Sequence, residues 1–325
     1  MKYNNLKGAV IGCGHNGLAH VKAYKKLGVD MIICDRCEEV GKPLAEQYGA
    51  KFYSDYKEMF IKEKLDVISI CLPTHLHYDA VMTALDFGIN VLCEKPFTLI
   101  VAEAEEMINK AKKKGLTLMV GHCLRFFQPY EYLKRCFNDK RFGSLTYLNM
   151  YRHCATPEWG VGGWFRDTSL SGGALRDLHI HDTDVVTSIL GEPDEVYTTG
   201  SHMAHSTIYK FSGQNISVSA TASWRDTKDT NLQRGFDAMF EDASITFCGN
   251  EFGVYTRDGK LQNALEDEDF GDFFAPIGRK YIECEIAYLC HCITNGIEPA
   301  LCPPEESLIT IRVNQKEEDS IKSGM

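Results

Sequence analysis

No stretch of the 325-residue chain reaches the run of about 18 apolar residues that a membrane-spanning helix requires. The start is also unlike a secretion signal. Met1-Lys2-Tyr3-Asn4-Asn5 leads straight into a folded pattern, which predicts a cytoplasmic protein. Basic residues are in deficit, 35 Lys and Arg against 45 Asp and Glu, for a net charge of -10 and a pI near 5.6. That balance disfavours nucleic acid or an anionic membrane as a partner. Internal repeats and low-complexity segments are absent. Cysteine is not scarce, but its 13 copies are odd in number and scattered through apolar segments, so they read as buried thiols rather than a disulfide framework. Cys290-His291-Cys292 follows the same logic. Consecutive side chains on a helix diverge, so it reads as core and not as a zinc site.

The ordinary balance of 44% hydrophobic and 25% charged residues, over about twice the usual domain length, predicts two globular domains. The first opens on an apolar strand, Lys7-Gly8-Ala9-Val10-Ile11, which runs into Gly12-Cys13-Gly14-His15-Asn16-Gly17 and a helical stretch to Leu27. Between a strand and a helix, G-x-G-x-x-G is a dinucleotide-binding turn. Gly12 permits the turn, Gly14 lets the backbone approach a pyrophosphate, and Gly17 lets the helix lie close on the sheet. The diphosphate sits at the helix start, with His15 and Asn16 beside it. The next strand, Asp30 to Cys34, ends in Asp35, about twenty residues on. An acid there accepts hydrogen bonds from ribose hydroxyls and repels a 2′-phosphate, which favours NAD over NADP. Arg36, able to lie over the adenine or to neutralise a phosphate, pulls the other way.

The alternation of helix and strand continues through Glu38–Tyr48, Lys51–Tyr53 and Asp55–Lys64 to the apolar run Asp66–Leu72, as expected of a strand buried on both faces. Pro73-Thr74-His75-Leu76-His77 closes that run. Ligands of such sheets bind where strands end, so Leu72, Pro73, Thr74 and His77 are cofactor-lining candidates, His77 being equally readable as a capping or packing residue. A fifth strand, Gly88–Cys93, ends in Glu94-Lys95-Pro96. Pro96 biases Lys95 toward an extended backbone where a nicotinamide would lie, with Glu94 among the cofactor contacts. The ammonium of Lys95 would stabilise the alkoxide that hydride loss requires. A helix from Val101 to Lys114 and a strand from Leu116 to Val120 complete a doubly wound parallel sheet of about six strands, an α/β domain over residues 1–122.

After His122 the rhythm changes, and residues 123–325 form the second domain. A helix near Pro129–Phe137 and an alternating strand Leu145–Arg152 precede a glycine and aromatic loop, Glu158–Arg166. Strand-type periods follow over 195–201, 207–211, 216–224, 234–241, 243–248 and 252–256, then helices near 279–295 and 305–322. This is an α+β domain with a large, open, mainly antiparallel sheet. One face is left for a second subunit, so a homo-oligomer, dimer or tetramer, is expected. Before the strands lies the segment Ser171 to Asp184. Read as one helix, it puts Asp177 and His181 four apart on one face, an acid and an imidazole suited to proton transfer. Asp177, His181 and Asp184 also have a spacing that could hold a divalent metal, but the proton-transfer reading is adopted and no metal is expected. Arg152, His153 and Trp164 are candidate substrate contacts, with packing as the alternative for Trp164.

Together, Gly12-Cys13-Gly14-His15-Asn16-Gly17, Asp35, Glu94-Lys95-Pro96, Arg125-Phe126 and Gly172-Gly173 with Asp177, His181 and Asp184 resemble the glucose-fructose oxidoreductase and inositol dehydrogenase family, Gfo/Idh/MocA. The resemblance runs over essentially the whole chain. It implies a Rossmann domain bearing NAD(P), a C-terminal domain bearing the substrate, and hydride transfer at the carbinol carbon of a sugar, polyol or related compound. It also implies that Lys95, Asp177 and His181 are catalytic and touch the substrate. His181 would take the hydroxyl proton, Asp177 would orient substrate and imidazole, and Lys95 would stabilise the oxyanion. Many members carry glycine where this chain has His179, which on a helix points away from His181. Two other fates remain open within the family. One is a non-catalytic NAD-binding sensor; the other is a glycoside-cleaving enzyme that oxidises its substrate transiently.

Overall fold

Apolar runs in the first 121 residues become the strands of one parallel sheet. They are β1 (Lys7–Ile11), β2 (Asp30–Cys34), β3 (Lys51–Tyr53), β4 (Val67–Ile70), β5 (Asn90–Glu94) and β6 (Leu118–Gly121), in the order β3-β2-β1-β4-β5-β6. Between them run α1 (His15–Leu27), α2 (Glu38–Tyr48), α3 (Tyr56–Lys62), α4 (His77–Asp86) and α5 (Val101–Lys114). All four residues of β4 are buried, because helices cover both faces of such a sheet. Helix ends follow local chemistry. Asp55 caps α3 by accepting from the Glu58 N–H, and α1 stops at Gly28 in the left-handed region. Strand order reverses between β1 and β4, which opens a crevice at the carboxyl ends of those strands. In this computed structural model residues 2–227, 230–271 and 273–324 are described.

The later part of the chain contains α6 (Gln128–Asn138), β7 (Leu145–Ala155), the short turns α7 (Thr168–Ser171) and α8 (Gly173–Asp177), and α9 (Ile180–Leu190). Seven more strands complete a second sheet: β8 (Glu195–Gly200), β9 (Ala204–Lys210), β10 (Ser217–Arg225), β11 (Gln233–Phe240), β12 (Ala243–Cys248), β13 (Glu251–Thr256) and β14 (Gly259–Leu261). Its order is β14-β13-β12-β11-β7-β10-β9-β8, antiparallel except for the β7/β10 pair. β9 alternates exposed and buried residues along its length, the period of a sheet with one covered face. The chain ends in α10 (Tyr281–Asn295) and α11 (Pro304–Ser323).

The compact units divide the chain differently from the predicted cut at residue 122. One comprises Met1–Phe126 with Gly271–Leu308, and the other Phe127–Phe270 with Ile309–Met325. Helix α10 explains the difference. Its Cys284, Ile286, Ala287, Leu289 and Cys290 join the same buried cluster as Tyr3, Val21, Tyr24 and Leu27, and the Tyr3 hydroxyl donates to the Ala287 carbonyl at 3.2 Å. Phe274 packs edge-on against Phe126 at 6.0 Å between centroids. An apolar helix far along the chain thus finds its partner surface on α1. All 13 cysteines are free thiols, eight of them buried, including Cys290 and Cys292. Cys34 is buried and Cys37 half-buried, a Cys-x-x-Cys spacing across the end of β2 that carries no bridge. Among the described residues, no helix is long and apolar enough to cross a membrane.

Candidate active site

In the first unit, the glycine turn is set by steric exclusion. Gly12 has φ +85, and a Cβ there would lie 2.7 Å from the Cys71 carbonyl oxygen. At Gly17 a Cβ would come within 1.9 Å of the Gly12 oxygen, whereas at Gly14 it would meet nothing within 4 Å. Gly12 and Gly17 therefore close the turn on the sheet, and Gly14 leaves open space at the start of α1. His15 is exposed and Asn16 half-buried beside it. Asp35 stands at the end of β2. Its Oδ2 accepts from the Cys13 N–H at 2.6 Å and its Oδ1 from the Cys37 N–H at 2.8 Å, so the carboxylate also pins the turn. Arg36 next to it is exposed.

At the ends of β4 and β5, Leu72, Pro73 and Lys95 are half-buried, while Thr74, His77 and Glu94 are buried. The His77 ring lies between two carbonyls, with Nδ1 2.8 Å from Pro96 O and Nε2 2.8 Å from Leu72 O. Burial lowers its pKa, and a neutral ring donates to one carbonyl at a time. His77 thereby ties the two strand ends together. Glu94 accepts at Oε1 from His20 Nε2, 2.9 Å away, and at Oε2 from the Lys95 N–H at 3.2 Å.

In the second unit, the segment predicted as one helix is broken. Helix α8 ends at Asp177 and α9 begins at Ile180. At the break the His179 N–H donates to Ala174 O, five residues back, at 2.8 Å, and the His181 N–H donates to Leu178 O, three back, at 3.4 Å. The wide turn lets the His179 imidazole go inward, where Nε2 lies 3.0 Å from the Tyr209 hydroxyl and 3.5 Å from Glu317 Oε1. From Ser171 to Thr187 every residue is buried except Asp177 and His181. Asp184 is buried, and its Oδ1 accepts from the Thr310 hydroxyl at 3.2 Å.

The remaining second-unit candidates are engaged with protein groups. Arg152 is buried against Asp182, with Nη2 2.9 Å and Nε 3.3 Å from Oδ1. His153, on the opposite side of β7, pairs Nδ1 with the Ser223 hydroxyl at 2.9 Å. Trp164 stacks on Phe165 at 4.0 Å and packs against a small core with Leu178 and Trp224. Sequence periodicity did not single out His20, Glu285 or Asp182. The signal for Glu285 was an acid among Cys284, Ile286, Ala287 and Leu289, beyond the first-turn Glu283 of α10. Among the described residues, the only trio of His, Cys, Asp or Glu whose ligand atoms lie within 4.8 Å of one another is His20, Glu94 and Glu285.

Comparison with known proteins gives the following. Residues 6–122 match the model of an oxidoreductase family with an NAD-binding Rossmann fold, GFO/IDH/MocA, and residues 130–261 match the GFO/IDH/MocA C-terminal domain. The chain is 29% identical over 198 residues to the 2,7-anhydro-N-acetylneuraminate hydratase of Mediterraneibacter gnavus, covering 61% of this chain and 53% of that protein. It is 32% identical over 271 residues to the D-glucoside 3-dehydrogenase of Escherichia coli, 81% of this chain and 75% of the relative. The crystal structure of an oxidoreductase from Agrobacterium radiobacter, in complex with NAD+, L-tartaric acid and magnesium, has a TM-score of 0.82 at 18% identity, over 98% of this chain and 97% of that one. At that identity it shares the fold. The chain spans about half the length of the first curated relatives it matches.

Proposed function

The chain belongs to the GFO/IDH/MocA oxidoreductases, and from that premise we propose that it is a dehydrogenase moving a hydride between NAD and the carbinol carbon of a sugar, polyol or related compound. The observation that carries this reading is the selective opening of Asp177 and His181 in an otherwise buried segment. Burial of every neighbour leaves an acid and an imidazole as the groups that a substrate can reach. The glycine turn fits a dinucleotide, because Gly14 leaves room for the diphosphate while Gly12 and Gly17 tolerate no side chain. When bound, the nicotinamide supplies the hydride acceptor. His181 removes the proton from the substrate hydroxyl, Asp177 orients that hydroxyl and the imidazole, and the Lys95 ammonium offsets the charge developing on oxygen. Asp35 favours NAD over NADP, since its carboxylate at the end of β2 repels a 2′-phosphate. Replacing Gly17 by alanine weakens NAD binding by about 10- to 100-fold in a calorimetric titration, because the new Cβ displaces the Gly12 carbonyl.

The test supplies NAD or NADP with a panel of sugars and polyols and follows the absorbance of reduced nicotinamide. NADH release with at least one compound is expected, and failure to bind either nucleotide sinks the proposal. A second reading has one observation behind it. The M. gnavus relative is named a hydratase, a reaction with no net oxidation. Substrate turnover with nicotinamide retained and no NADH released would favour transient oxidation. The proposed assembly is a homo-oligomer through the outer sheet face, where Tyr197, Ile208, Met239 and Tyr255 are exposed. Light scattering that returns a monomer rejects it.

A further inference from the structure

A buried hydrogen-bond network in the second unit anchors the break between α8 and α9. His179 directly precedes α9, and its carbonyl accepts from the Asp182 N–H at 2.8 Å and the Thr183 N–H at 3.0 Å. His181 is the second residue of that helix, so whatever holds His179 also sets where His181 stands. Tyr209 of β9 donates its hydroxyl to Glu317 Oε1 at 2.8 Å, which leaves the phenol oxygen to accept from His179 Nε2 at 3.0 Å. Glu317, on α11, also accepts the Thr183 hydroxyl at 3.0 Å and, at Oε2, the Asn314 amide at 2.6 Å. From β9, the His205 ring packs edge-on against that of His179, at 4.6 Å between centroids.

The direction of these bonds follows from which groups carry protons. Burial, then the Glu317 carboxylate beside it, raises the pKa of Tyr209 well above the usual phenol range, so its hydroxyl keeps its proton and aims it at the carboxylate. Burial, then the neighbouring His179, lowers the pKa of His205 to about 2, so that ring stays neutral. His179, Thr183 and Glu317 are 0% exposed and Tyr209 is 1% exposed, which keeps water from competing for the same bonds. A satisfied network of this kind is rigid, because any departure leaves a polar group unpaired in a low-dielectric interior. A proton-transfer residue gains from that rigidity, since a misplacement of about 1 Å can cost on the order of a hundredfold in rate.

We propose that His179 is a positioning residue: its ring, clamped through Tyr209 to Glu317, fixes the start of α9 and with it the imidazole of His181. The effect on turnover rests on the dehydrogenase reading; the clamp itself does not. Leucine at position 179 fills similar space without a donor, whereas glutamine can place an amide N–H near the position of Nε2. Tyr209→Phe removes the same link from the other side.

In kinetics with NAD and methyl glucoside or myo-inositol as probes, His179→Leu should lower kcat about tenfold or more, with KM and the Kd for NAD within about twofold of the parent. His179→Gln should recover most of that loss. The double variant of His179→Leu with Tyr209→Phe should be no slower than the slower single variant, as expected of groups that act as one unit. Hydrogen–deuterium exchange over residues 178–183, read by mass spectrometry, reports on the clamp without any substrate. It should quicken about tenfold or more in His179→Leu and return toward the parental rate in His179→Gln. Parental exchange in His179→Leu overturns the proposal, as does a parental kcat or a loss that glutamine leaves unrepaired. Should the leucine variant fail to fold, Tyr209→Phe decides by the same measurement, and parental exchange there is fatal. If the parent transfers no hydride to NAD from any probe, the dehydrogenase reading fails while the exchange results still judge His179.

Discussion

Replacing His181 by alanine lowers the rate of hydride transfer at least about a hundredfold, while NAD binds as in the parent protein. The expectation follows from where the side chain stands. Its neighbours Ile180 and Asp182 are buried, whereas His181 stays partly open four residues from Asp177, across a turn that departs from regular helix. In the proposed mechanism a neutral imidazole there takes the hydroxyl proton as the carbon–hydrogen bond breaks, and the other partly open residue from Ser171 to Thr187 is Asp177, given the orienting role. Stopped-flow measurement of nicotinamide reduction separates chemistry from product release, and fluorescence titration reports NAD affinity. Near-parental reduction rates in His181→Ala would remove the residue from the chemistry.

Substituting Arg152 by alanine costs about 3–5 kcal/mol of folding stability, because it strands the Asp182 carboxylate inside the protein. Both side chains are buried, at 3% and 0% exposure, and the guanidinium reaches the carboxylate through both Nε and Nη2. The pair joins β7 to α9, the helix that carries His181, so the loss should also blunt activity. Arg152→Met combined with Asp182→Leu should recover most of the stability, since a buried ion pair exchanged for apolar packing is often neutral. Urea unfolding of the two single variants and the double variant tests this as a cycle. An unchanged midpoint for Arg152→Ala, coupled with a raised KM, would return Arg152 to the role of substrate contact.

Local pattern carried much of the organisation. The glycine turn, the apolar strands and the acid at the end of β2 are short-range features, and each was readable because side-chain period and turn chemistry act within a few residues. The six-stranded parallel sheet and the later run of strands emerged for the same reason. The short strand β14 did not, since three exposed residues, Gly259 to Leu261, carry no alternation to detect. His77 could be read in two ways from the sequence, and only its placement between two carbonyls showed what its ring touches.

The sequence by itself determined the two kinds of sheet, the glycine turn and the residue types proposed for the chemistry. Tertiary structure decided where the helix around His179 breaks, that residues 271–308 fold with the first unit, and that Arg152 is bound to Asp182. It also decided that His20, Glu94 and Glu285 meet. These are pairings between positions far apart in the chain, 74 residues in the case of His20 and Glu94. Their free energy comes from burial and from matching charge against charge, and neither is set until separate elements pack together.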